Sequence, residues 1–142
     1  MSNNIKIGQI GENIACQHLL NNGYKIVGRN ARYPWGEIDI VCKDESGVLV
    51  FVEVKALKVF HASVKHSDPG IGLKPEDNLS PSKLEKVKRT AYLYANNHPE
   101  LINDNKGWQI DLIAVEIDHQ NLQSLTIKEL LKCSIIRHYE NL

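Results

Sequence analysis

Val48-Leu49-Val50-Phe51-Val52-Glu53-Val54-Lys55 is the stretch whose reading decides the fold. Apolar, largely β-branched residues run without a break from Val48 to Val52, which predicts a strand. A run that does not alternate predicts a strand covered on both faces. The charges come at its end. Period two places Glu53 and Lys55 on the face of Phe51, and Val50, Val52 and Val54 on the other. Charged groups at the end of a covered strand are costly unless they are paired or bind a metal. A half-exposed hairpin with one wet face would account for the same letters without any function, and that reading stays open here.

Working outward, Asp44-Glu45-Ser46-Gly47 is a hairpin-like turn, and Glu37 to Lys43 alternates as a preceding strand. Its period puts Glu37 and Asp39 on one face and Ile38 and Ile40 on the other. Arg32-Tyr33-Pro34-Trp35-Gly36 is punctuated as a turn, and Tyr24 to Gly28 is a short strand. Ile7, Ile10, Ile14, Leu19 and Leu20 make a helical stripe that Asn21-Asn22-Gly23 ends, with Gly23 suited to the left-handed position. Downstream, residues 58–79 form a long loop of the kind that is often functional. Ser80-Pro81 opens a helix with Leu84, Val87, Ala91 and Tyr94 on one face. Trp108 to Glu116 is a further strand, and between Leu125 and Ile136 strand and helix compete. The order α-β-β-β-α-β predicts one mixed sheet flanked by helices.

The 142 residues and 16.1 kDa fit one domain, 1–142, with a real core. With 42% hydrophobic and 24% charged residues, the composition is that of an ordered globular protein. Seventeen basic residues balance seventeen acidic ones, but residues 55–89 carry eight Lys/Arg against four Asp/Glu. That asymmetry offers Lys58, Lys83 and Lys86 to phosphate, although a solvated lysine-rich helix has the same composition. Cys16, Cys42 and Cys133 show no C-x-x-C pairing, which argues against a zinc knuckle or disulfide framework and fits a reducing cytoplasm. There is no signal-peptide or membrane-length apolar stretch. No G-x-S-x-G or Walker pattern supports a hydrolase triad or an NTPase.

Asp39 and Glu53, on adjacent strands, could meet at one hard cation such as Mg²⁺, which takes carboxylate, water and phosphate oxygens. Such an ion polarises a scissile phosphate and acidifies bound water. Lys55 could orient or deprotonate that water. Glu12 on the first helix is either an outer acid reached through water or a plain polar position on an exposed helix face. His61 and His66 lie at no helical zinc spacing and are expected to be ordinary surface residues. Trp108, Tyr92 and Tyr94 are expected in the core or at its rim. Asp111, inside Trp108 to Glu116, is expected to be a buried, hydrogen-bonded structural acid.

Asp39 followed by Glu53-x-Lys55 at the end of an apolar strand resembles the metal-binding signature of the PD-(D/E)XK nuclease superfamily. The chain resembles in particular the YraN family of bacterial proteins. The resemblance rests on Gly8-x-x-Gly11-Glu12-x-x-Ala15, Gly23-Tyr24, Arg29-Asn30, Gly36-Glu37-Ile38-Asp39-Ile40-Val41, Phe51-Val52-Glu53-Val54-Lys55 and Asp111-Leu112-Ile113-Ala114-Val115. E-x-K alone arises by chance; the ordered set, covering most of residues 5–116, does not. The resemblance implies a restriction-endonuclease-like fold, akin to archaeal Holliday junction resolvases. It also implies a Mg²⁺- or Mn²⁺-dependent nuclease site for DNA, including branched or flapped forms. Asp39 and Glu53 become metal ligands, Lys55 the catalytic lysine, Glu12 the helix-borne acid, and Glu37 a neighbour of the site. Related nucleases act as dimers, so a homodimer is implied too. Two departures bear on substrate contact: Ala56-Leu57-Lys58 stands where the family has an arginine soon after the lysine, and the loop after Lys58 is long. A binding module that keeps the fold without turnover, or a unit of a larger assembly, are the alternatives.

Overall fold

In the computed structural model, which describes residues 3–59, 75–103, 105–118 and 122–142, the run around Phe51 is the centre of the molecule. It forms β3 (Leu49–Lys58), third of five strands in the order β1-β2-β3-β4-β5. Leu49, Val50, Phe51 and Val52 are each fully buried, as an unbroken apolar run requires. Val50 and Val52 of β3 enter a core with α1 (Asn3–Asn21), and Val54 and Ala56 pack against it. Leu49 and Phe51 enter a second core, on the other face, with α2 (Pro81–Asn97).

The sheet is mixed. β1 (Lys25–Tyr33), β2 (Gly36–Lys43) and β3 run antiparallel in turn. β4 (Trp108–Ile117) is parallel to β3, and the chain between them carries α2, as a parallel pair needs a crossover. β5 (Ser134–Tyr139) closes the far edge antiparallel to β4. The six elements expected through β4 are all present, in order, as an open mixed sheet with helices on both faces. Beyond them, the ambiguous segment after Leu125 resolves into both candidates: a short helix, α3 (Ile127–Lys132), then β5. Thr126 and Glu129 form a reciprocal capping box that starts α3. Ser80 caps α2 by accepting from the Lys83 N–H, with Pro81 at the first helical position. The left-handed position at Gly23, φ 85°, ends the α1 turn as its sequence required.

Two boundaries differ from expectation. β1 continues through Arg32 and Tyr33, so the turn expected over Arg32 to Gly36 shrinks to Pro34-Trp35. Ile38 and Ile40 do not share a face: Ile38 packs in the α2-side core and Ile40 in the α1-side core. The alternation breaks at Asp39; on β1, between the residues paired with Ile40 and Ile38, Asn30 takes a positive φ of 53°. Asn tolerates that conformation because its side chain can bond locally.

α1 lies very close to the sheet. A Cβ on Gly11 would stand 2.3 Å from the Cβ of Ala56. This contact holds Glu12, the next residue, against the end of β3. Gly11→Ala is therefore expected to cost about 1–3 kcal/mol of stability by overpacking, despite alanine's better helix propensity. Thermal unfolding checks this, and a stabilised variant would contradict the packing described.

Candidate active site

The site arises where β2 and β3 part. Their ladder stops at Ile40 opposite Val52. One step further, the Val54 N–H no longer reaches a backbone partner on β2 and instead donates to Asp39 Oδ2 at 2.8 Å. A backbone amide left by the splayed strands thus fixes the carboxylate. Glu53 and Lys55 follow on the α2 face, with Lys55 Nζ 3.1 Å from Glu53 Oε1. On the other face, Glu12 of α1 is buried, not exposed, and pairs with Arg29 Nε of β1 at 3.3 Å. Arg29 also donates to Asn13 Oδ1 at 2.7 Å, so the guanidinium ties α1 to β1 beside the site.

Burial of Asp39, aided by the charges of Glu53 and Glu12, pushes its carboxyl up to about 7, against the opposing pull of the Val54 amide and Lys55. Glu12, Asp39 and Glu53 are not among trios whose ligand atoms all lie within 4.8 Å of one another. A cation held by one or two of them would complete its shell with water and phosphate oxygens, as Mg²⁺ commonly does.

Two clefts flank this point. One, of about 350 Å³, is lined by Gly8, Glu12, Asn30, Arg32, Glu37 and Asp39 among others. The other, of about 220 Å³, lies against α2 and gathers Glu53, Lys55, Lys83, Lys86 and Glu37. Glu37 borders both. Lys83 and Lys86 join Lys55 at one opening. Lys58 does not: the last residue of β3, it pairs in register with Ile117 and lines neither cleft. Leu57 follows Lys55 on its strand face, in place of the arginine that the family resemblance implies, and Ala56 is held under Gly11. Of the aromatic residues, Tyr94 is core, Trp108 is half-buried and Tyr92 is exposed. His61, His66 and most of the loop over 58–79 lie outside the described residues.

The C-terminal segment adds two clusters that sequence reasoning did not reach. Asp111 is fully buried, accepts from Gln109 Nε2 at 2.8 Å and the Asn141 N–H at 2.9 Å, and meets His138 Nε2 at 2.7 Å. Asp111, His138 and Glu140 are the one trio of possible metal ligands among the described residues within 4.8 Å of one another. Each is already engaged by protein groups, Glu140 by the Tyr24 hydroxyl at 3.0 Å, so the cluster works as a clamp on the chain end. The structural role expected for Asp111 is thus met, with partners that its own strand does not supply.

The second cluster is an arginine fork. Arg137 donates to both carboxylate oxygens of Glu76, at 2.7 and 2.8 Å, and to Glu116 at 3.2 Å. It pins the 3-10 turn Pro75–Asn78 to β4 and β5. The fork lowers the Glu76 carboxyl to about 2. A lowered carboxyl stabilises the fold above its unfolded value near 4.5 and loses that contribution as pH falls toward 2. Arg137→Ala is expected to reduce the loss of stability between those pH values, measured by denaturant titration; an unchanged slope would show that the fork carries none of it.

An open mixed sheet with an Asp/Glu/Lys corner on its central hairpin defines a restriction-endonuclease-like domain. Within that class, the chain belongs to the family described as uncharacterised protein family UPF0102, also called the YraN family, which it matches over residues 11–115. It is 33% identical over 115 residues to a UPF0102 protein of Corynebacterium efficiens, covering 80% of each chain. A UPF0102 protein of Fervidobacterium nodosum is 32% identical over 139 residues, 97% of this chain and 82% of its own. One from Aquifex aeolicus is 38% identical over 92 residues, 65% of this chain and 76% of its own. The match includes Glu12, Asp39, Glu53 and Lys55 but stops short of His138 and Glu140. No helix among the described residues is long and apolar enough to cross a membrane.

Proposed function

We propose that the chain is a Mg²⁺- or Mn²⁺-dependent phosphodiesterase acting on DNA, with Asp39 and Glu53 as metal ligands. The observation that carries this reading is the position of Asp39 where β2 and β3 part, fixed by the Val54 N–H at 2.8 Å and raised to about 7 by its burial and by the neighbouring charges of Glu53 and Glu12. Bound there, a divalent ion would supply Lewis acidity to a phosphate oxygen and a more acidic water. Glu12, held by Arg29, would reach such an ion through water. Lys55, on the Glu53 carboxylate, is placed to steady charge on the phosphate and to orient the attacking water. Lys83 and Lys86 offer the neighbouring phosphates two further cations, and Lys83 lies in the first turn of α2, where the helix dipole also favours anions. Branched and flapped DNA is the finer form of the proposal. The cytoplasm is the proposed location, in keeping with three free cysteines.

Incubating the pure protein with linear, nicked, flap and four-way DNA, with and without Mn²⁺, tests the reading. Cleavage that survives the combined Asp39→Ala and Glu53→Ala changes would trace the activity to a contaminant. One observation favours a second reading, a DNA-binding module without turnover: Leu57 gives the substrate no positive charge on the face of Lys55. DNA binding without cleavage of any form, and without calorimetric Mn²⁺ binding, would establish that module instead.

The raised Asp39 carboxyl also has a stability signature. Its folded value exceeds the unfolded one of 3.8, so its contribution is fully present below that value and fades as pH rises through about 7. Asp39→Asn is expected to remove this decline, and Mn²⁺ to offset it in the native protein. Melting temperatures at pH 5 and pH 8, with and without metal, check both. Equal metal effects at the two pH values would contradict the assignment.

A further inference from the structure

Trp35 sits at the tip of the β1–β2 hairpin, with 44% of its surface exposed. Its ring lies flat on Tyr33, centroids 5.1 Å apart and planes 8° apart. Tyr33 is in turn edge-on to the buried Tyr94, at 6.5 Å and 78°. The indole is therefore held rigid from beneath. With one face on Tyr33 and nearly half of the residue in solvent, the opposite face is the part available to a further ring.

The tip is also fixed in place relative to the site. A Cβ on Gly36 would stand 2.5 Å from Thr90 Oγ1, so the hairpin is pressed directly onto α2. Gly36 and Glu37 line the cleft that holds Glu53, Lys55 and Lys83, while Arg32 and Glu37 line the one that holds Asp39. The residues on either side of the Tyr33–Trp35 stack thus border both clefts. A backbone phosphate held by the lysines would bring its neighbouring nucleotides within range of this tip.

We infer that Trp35 is a stacking platform for an unpaired nucleobase beside the phosphate held in these clefts. The substrate class it selects is DNA with exposed bases, such as single strands, flaps and open junctions, over closed duplex. Inside a duplex each base is already stacked on its neighbours and offers no free face, whereas an unpaired base does. A preorganised indole provides that face to any base, so it selects for strand state and not for sequence. The inference rests on the proposal that the site acts on DNA, and it adds what form of DNA the site prefers.

The test is fluorescence anisotropy with a labelled oligonucleotide, single-stranded or within a long duplex, in EDTA so that nothing is cut. Trp35→Ala is expected to weaken single-strand binding about tenfold and to leave duplex binding unchanged. Trp35→Phe should retain most of the affinity, which guards against a mere loss of folding. An oligonucleotide whose bases are replaced by abasic sites should bind weakly and no longer distinguish native protein from Trp35→Ala. Equal losses on both DNA forms, or no loss on either, would overturn the platform while leaving the DNA reading standing. Native protein that binds neither form would overturn both.

Discussion

Glu53→Gln is expected to lower metal-dependent DNA cleavage about a thousandfold, equivalent to roughly 4 kcal/mol of transition-state stabilisation, with the fold retained. The substitution keeps the shape of the side chain and removes only its charge. Glu53 is one of two carboxylates assigned to the metal, so the ion would lose a formal ligand charge as well as affinity. It is also the partner of Lys55, at 3.1 Å, so the ammonium would be freed from its present position. The loss of one negative charge beside Asp39 should bring that carboxyl down from about 7, because Glu53 is the second largest cause of its elevation after burial. Single-turnover cleavage together with a melting curve measures the effect. A variant that stays folded and cuts at the native rate would remove Glu53 from the mechanism.

Asp111→Ala should act in the opposite manner, on stability and not on chemistry. Asp111 is wholly inaccessible and engages Gln109, the Asn141 amide and His138. Its removal leaves these groups inside the protein without their partner, a loss of about 3–5 kcal/mol out of the ~5–15 kcal/mol that holds a domain together. The chain end would loosen with it, since Asn141 hangs on Asp111 and the Leu142 N–H bonds the Ile110 carbonyl beside it at 2.8 Å. Asp111→Asn, able to keep part of the network, should lose less. Denaturant midpoints for the two variants check this order. A change within about 1 kcal/mol for Asp111→Ala would show that the clamp is not structural.

The sheet was legible because its central strands carry their environment in their letters. The unbroken apolar run before Glu53 favoured a doubly covered strand, and Ser80-Pro81 carried the signal of a helix start. Glu53 and Lys55 were placed on the correct face by period two alone. Asp39 was found, but its surroundings were not: the break in alternation comes from the parting of two strands and a left-handed Asn30, neither of which leaves a periodic signal. Glu12 illustrates the same limit, since its burial depends on Arg29 from another element and on the Gly11–Ala56 contact. The Arg137 fork and the Asp111 clamp were out of reach because they join distant residues, Arg137 to Glu76 across 61 positions and Asp111 to His138 across 27, with one end just beyond the segment whose helix and strand signals compete. Leu125 to Ile136 gave two answers because it contains both elements.

Anomalous diffraction from crystals soaked in Mn²⁺ tests most directly whether Asp39 and Glu53 hold a divalent ion at the parting of β2 and β3. A peak bonded to Asp39 and Glu53, with Lys55 swung from Glu53 toward the ion's water, is the predicted result. No peak there at saturating Mn²⁺, or one confined to Asp111, His138 and Glu140, would contradict the account.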